Sequence, residues 1–184
     1  VILVEAQYDS PIFVSGVRIR TAVEAEAATY DVIRRATANG RVVIEPTGNA
    51  RAGGTNDIDF TIGWRTNSGA LVVGANNGAA QAGMPMPGSG FGSRVDANAW
   101  GAAVQAAASW NYIPGNNLDS PPGTPNNQSY TLGFSGSSSA SAIVSGAVAQ
   151  MVGVHNGAFY RELAPPARVA ATVREAWWQW QRAR

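Results

Sequence analysis

The segment from Phe134 to Val152 constrains the fold of this chain more than any other. It begins Phe134-Ser135-Gly136-Ser137-Ser138-Ser139-Ala140-Ser141-Ala142 and runs on as Ile143-Val144-Ser145-Gly146-Ala147-Val148-Ala149-Gln150-Met151-Val152. Ser/Gly composition ordinarily marks a flexible linker, but a linker does not continue as an apolar run of small residues. That continuation suits a helix buried against close neighbours. The glycine permits a tight turn. The serines after it fall on the first helical turn, where N–H groups lack intrahelical acceptors and can meet a developing anion. A serine mounted there is held and electrostatically assisted, so Ser138 is the candidate nucleophile.

The remaining segments read as alternating strands and helices. Val1 to Ala6 is an apolar run broken by Glu5, consistent with a buried parallel strand. Tyr8 to Thr21, with Pro11 and Gly16, reads as a loop. Val23 to Asn39 is helix-forming and stops at Gly40. Arg41 to Glu45 and Ala70 to Ala75 read as further strands, with one or two short strands around Trp100-Gly101. Pro46 to Gly63, Asn76 to Ser93 and Trp110 to Ser129 are rich in turn formers. A last helix is expected over 165–184, with Pro165-Pro166 in its first turn and Val169, Val173, Trp177 and Trp180 on one face. This order predicts an α/β fold, three-layered α/β/α with a mostly parallel sheet, and one domain over 1–184. The opening Val1-Ile2-Leu3-Val4 resembles a core strand already in progress, so a piece of a longer protein is expected.

Charge and composition exclude several functions. A net charge of +1 without a basic cluster argues against nucleic acid or an anionic membrane as partner. No apolar run approaches the roughly 20 residues of a membrane helix. The absence of cysteine removes disulfides and thiolate metal sites. A monomer is expected.

Ligand sites in open parallel sheets form at the carboxyl ends of strands. Asn49, in Val42-Val43-Ile44-Glu45-Pro46-Thr47-Gly48-Asn49, lies just beyond such an end. A side-chain amide there can donate to a carbonyl oxygen, and one such donor is worth about 3 kcal/mol in a transition state. Gly-Asn by itself is a common turn dipeptide; Ser138 is what makes it notable.

Together these segments resemble the subtilisin-like serine peptidases. That family has a strand ending in Gly-Asn, whose Asn completes the oxyanion hole, and a Gly-Thr-Ser-x-Ala-x-Pro motif, whose Ser is the nucleophile. Gly136-Ser137-Ser138-Ser139-Ala140-Ser141-Ala142 lies over the second motif, with Ser137 for threonine and Ala142 for proline. Ile143-Val144-Ser145-Gly146 extends it, with Ile143 for a common histidine. Ser68 to Ala75 resembles the family's Gly/Ala-rich strand, and Phe91 to Asp96 with Ala99-Trp100-Gly101 resembles its following glycine–aspartate segment. The four pieces occur in family order between Val1 and about Gly153.

The resemblance implies the C-terminal part of a peptidase domain that hydrolyses polypeptides through an acyl-enzyme on Ser138. Asn49 and the Ser138 N–H would hold the oxyanion. Glu45, Pro46, Thr47 and Gly48 would wall the primary specificity pocket. It implies no required cofactor, leaves room for a structural calcium, and suggests a secreted, bacterial-like protein. In the family the catalytic Asp and His precede the first segment matched here. The chain has one histidine, His155. Seventeen residues beyond Ser138 on one helix is about 25 Å along the axis, far outside hydrogen-bond reach. The chain therefore carries half of a triad site, and a non-catalytic domain is the alternative.

Three other features weigh less. Glu24 and Glu26 invite comparison with sedolisin-like peptidases, which use a Glu base, but read as a solvated helix face. Asn56, Asp57 and Asp59 supply fewer oxygens than the six or more that calcium takes. Gly88 to Gly92 lacks the leading strand and following lysine of a nucleotide loop.

Overall fold

The structure is a computed structural model that describes residues 1–50, 56–78, 84–107 and 130–158. Its centre is a four-stranded parallel sheet in the order β1–β4–β5–β6, formed by Ile2–Leu3 (β1), Val43–Pro46 (β4), Leu71–Asn76 (β5) and Ala97–Trp100 (β6). Two helices flank it, α1 (Ala27–Ala38) and α2 (Ser137–Ala158). The fold class is therefore α/β, as the alternation of segments predicts.

Side chains alternate across the central strands and separate two cores. On one face Ile44, Leu71, Val73 and Ala75 pack with Ala140, Val144 and Val148 of α2. On the other, Val43 and Ala70 pack with Ile33 of α1, while Val72 joins Ala22, Ile58 and Ile62. The small side chains of α2 let the helix lie close over strand ends. It is buried on that face only: Ile143 and Met151 look outward and are exposed, so the helix is less enclosed than its apolar sequence suggests.

α1 begins later than its sequence predicts. Val23–Ala25 forms a single 3-10 turn, and Glu26 caps α1 by accepting from the N–H groups of Ala28 and Thr29 at 3.1 and 2.6 Å. Asn39 and Gly40, at φ 78°, end it.

The expected loop over Tyr8–Thr21 is instead a β-hairpin. Gln7–Val14 (β2) pairs antiparallel with Val17–Ala22 (β3). Ser15 and Gly16 both have positive φ, 51° and 77°, the geometry of a two-residue type I′ turn. Pro11 cannot donate to a ladder, and the register shifts between Asp9 and Phe13 to accommodate it. A second antiparallel pair joins Val104–Ala107 (β7) to Tyr130–Phe134 (β8). The helix expected over 165–184 and the whole loop from Trp110 to Ser129 lie outside the described residues.

Candidate active site

The C-terminal ends of β4 and β6 meet the N-terminus of α2. Beyond β6, Gly101 O accepts from the Gly136 N–H at 2.8 Å, and Trp100 O accepts from the Ser139 hydroxyl at 3.0 Å. These bonds seat the first turn of α2 on the end of the sheet. Gly136, at φ 89°, makes the turn into the helix. A Cβ on Gly136 would sit 3.0 Å from Asn49 Oδ1 and 3.1 Å from Asn49 Nδ2, so glycine is required for the Asn49 amide to lie there.

Asn49 and the serine turn are joined directly. Asn49 Oδ1 accepts from the Ser137 N–H at 2.8 Å and from the Ser137 hydroxyl at 3.1 Å. A backbone N–H can only donate, so this contact fixes which end of the amide faces α2. With Oδ1 committed, Nδ2 is the end left to donate elsewhere. The Asn49 N–H is itself held, donating to Gln7 Oε1 at 3.0 Å.

The four serines of the turn are not equivalent. Ser137, Ser139 and Ser141 expose no surface. Each hydroxyl is engaged: Ser137 with Asn49, Ser139 with the Trp100 and Gly136 carbonyls, and Ser141 with Glu5 and the Ser138 carbonyl. Ser138 is half-buried, and among the described residues its hydroxyl forms no hydrogen bond. Its N–H lies on the first turn, where helical N–H groups lack acceptors and the helix dipole favours negative charge. The edge thus brings together an accessible hydroxyl, a helix N-terminus and an oriented carboxamide.

Gly48 is what lets the chain reach Asn49. It has φ 89°, and a Cβ there would come within 2.8 Å of Arg20 O, so the strand end presses against β3. Asn56 Nδ2 donates to Gly48 O at 3.1 Å. Ser137, Gln7 and Asn56 were not singled out as tying residues from the sequence. Each lies far along the chain from what it holds, and a short polar residue in a loop carries no local mark of its partner.

The residues expected to wall a pocket are packed inside the protein. Glu45, Pro46, Thr47 and Gly48 are all buried, and Glu45 and Thr47 expose nothing. The hairpin covers Gly48, and the 88–91 segment covers Thr47, where a Cβ on Gly90 would lie 2.5 Å from the Thr47 Cβ. The Glu45 and Thr47 side chains face into the protein, with Glu45 Oε2 accepting from the Glu24 N–H at 3.1 Å.

One other expectation changes. Glu24 and Glu26 do not form a solvated face: Glu24 is buried and paired with Arg94, and Glu26 is the cap of α1. Asp57 and Asp59 turn their oxygens to protein donors. Asp57 Oδ1 accepts from the Asp59 N–H at 3.0 Å, and Asp59 accepts from the Ser93 N–H and hydroxyl. Among the described residues no cluster of three or more His, Cys, Asp or Glu side chains could hold a metal. The backbone of His155 lies on α2, the same helix as Ser138, which keeps the two about 25 Å apart along the axis. No helix among the described residues is long and apolar enough to cross a membrane.

The comparison with curated proteins gives no match. The family model of the subtilases, peptidase family S8, matches residues 15–177, most of the chain and both the Asn49 and Ser138 segments. The chain belongs to the subtilase family.

Proposed function

We propose that this chain is the nucleophile-bearing part of a serine endopeptidase that cleaves polypeptides through an acyl-enzyme on Ser138. The observation that carries the reading is the selective exposure of Ser138 among four serines, beside an Asn49 amide whose orientation is fixed by Ser137. The Ser138 hydroxyl would attack the scissile carbonyl. Asn49 Nδ2 and the Ser138 N–H would stabilise the oxyanion. The His base and the Asp that orients it would come from sequence outside these 184 residues, as in the family pattern. Secretion, a monomeric state and a structural calcium belong to the same proposal.

One observation favours a second reading, a non-catalytic subtilase-like domain: the single histidine, His155, cannot reach Ser138. Fluorophosphonate labelling separates the two. The longest natural form of the protein that carries this chain should be labelled, and Ser138→Ala should abolish labelling. Absence of labelling in the unmodified protein supports the non-catalytic reading, and labelling that survives Ser138→Ala rules out Ser138.

A further inference from the structure

A group of buried titratable side chains lies on the α1 face of the sheet, away from Ser138. Glu45, on β4, is 0% exposed, and Glu24, in the 3-10 turn before α1, is 1% exposed. Glu45 Oε2 accepts from the Glu24 N–H at 3.1 Å. Glu24 Oε1 accepts from Arg94 Nη2 at 2.9 Å. Arg94 Nη1 lies 3.5 Å from Asp96 Oδ2, which also accepts from the Val72 N–H at 3.0 Å. These contacts use one oxygen of each glutamate. The other two, Glu45 Oε1 and Glu24 Oε2, are buried without a hydrogen-bond partner, and Arg94 Nε, likewise buried and unpaired, bonds to neither.

Two lone-pair oxygens cannot satisfy each other while both carboxyls are ionised. Among the described residues, Glu24 and Glu45 would also set two carboxylates against one guanidinium, that of Arg94, in a dry volume. Arg65, beyond the 3-10 turn Ile58–Phe60, has its Nη2 engaged with Ala25 O at 3.0 Å. A single proton resolves both problems by turning one orphan oxygen into a donor for the other. Buried polar groups that remain unpaired are costly, which favours that solution.

We propose that Glu24 and Glu45 share one proton in the folded protein, and that this carboxyl–carboxylate pair is a positioning element that holds the Asn49 end of β4 to the turn leading into α1. Glu45 stands four residues before Asn49. Gly48 presses on Arg20 and Thr21, in the strand that leads to Glu24. The pair therefore ties the same two segments one turn deeper in the protein. Burial, then the neighbouring Glu24 charge, pushes the Glu45 carboxyl well above the ordinary carboxylate range. The pair's stabilisation is then complete below the unfolded value and lost as pH rises through the folded one.

The test compares unfolding equilibria of the unmodified protein and Glu45→Gln across pH, with amide exchange at Ser137. Glutamine reproduces a neutral carboxyl and donates without a proton to lose. The ratio of the two folding constants should be level below about pH 4.5 and change by up to tenfold per pH unit above it, in favour of Glu45→Gln. Protection of the Ser137 amide, which donates to Asn49 Oδ1, should fall with pH in the unmodified protein and not in the variant. Parallel stability curves would overturn the shared proton. Diverging curves with unchanged Ser137 protection would overturn the positioning role. Should Glu45→Gln not fold, ¹³C NMR of the unmodified protein decides. One glutamate carboxyl titrating well above its fellows supports the pair, and all titrating in the ordinary range overturns it. None of these readouts needs peptidase activity, so their failure is distinct from failure of the Ser138 reading.

Discussion

On β4, Ile44 and Glu45 are adjacent, and neither exposes any surface. Ile44 enters the dry core under α2, among Leu71, Val73, Val144 and Val148. Glu45 enters a core of charges on the other face, with Glu24, Arg94 and Asp96. The first face is held by area and close packing, which are indifferent to pH. The second depends on charge balance and on every polar atom finding a partner. The α2 face carries Ser138 over an apolar core, while the α1 face holds the Asn49 strand through buried charged groups.

The largest expected effect breaks the charged side. Arg94→Met would leave Glu24 buried without the cation it is bonded to, and should cost about 3–5 kcal/mol of stability by urea unfolding. A loss below about 1 kcal/mol would show that water reaches the cluster. Next, Asn49→Ala in a labelling-competent form of the protein should slow acyl transfer a hundredfold or more, about 3 kcal/mol. Stability should also fall, by about 1–3 kcal/mol, because the buried Ser137 N–H loses its acceptor. A loss of stability with the acyl-transfer rate unchanged would mean that Asn49 only ties α2 to β4. On the dry side, Val148→Ala should cost about 2 kcal/mol by leaving a cavity under α2, with a penalty constant in pH. A penalty that changed with pH would show that the two faces are coupled.

The smallest effect comes from Glu26, whose contacts offer a contrast in sign. Its carboxyl is held below the ordinary range by the Thr29 hydroxyl, then by the Thr29 and Ala28 N–H groups. Its contribution is therefore present above the unfolded value near 4.5 and lost as pH falls through the lowered folded one. Glu26→Ala should lower stability slightly at neutral pH and not at all in acid, as read by thermal unfolding. Glu45 should show the reverse order. A common sign at the two sites would refute the contrast between exposed cap and buried pair.

Much of this arrangement was legible in residues whose role is local. Gly40 ends α1, the apolar run at Val42–Ile44 and Leu71–Ala75 makes central strands, and Gly136 followed by serines opens α2. Other elements were hidden for physical reasons. Pro11 and the polar alternation of Gln7, Asp9, Arg18 and Arg20 disguise the hairpin, which is stabilised by pairing of its own and by its seat on Gly48. Glu24 looks solvated because a carboxylate near a helix start usually is; only the arrival of Arg94, 70 residues away, allows its burial.

The sequence by itself determined the α/β layering and the presence of a serine on a helix N-terminus with a Gly-Asn strand end, because periodicity, turn chemistry and helix starts are local properties. Which serine keeps a free surface, which end of the Asn49 amide accepts from Ser137, and the burial of Glu45 against the Glu24 turn were decided only by tertiary structure. Asn49 and Ser137 are 88 residues apart, and the exposure and orientation of their side chains do not exist until the sheet brings them to one edge.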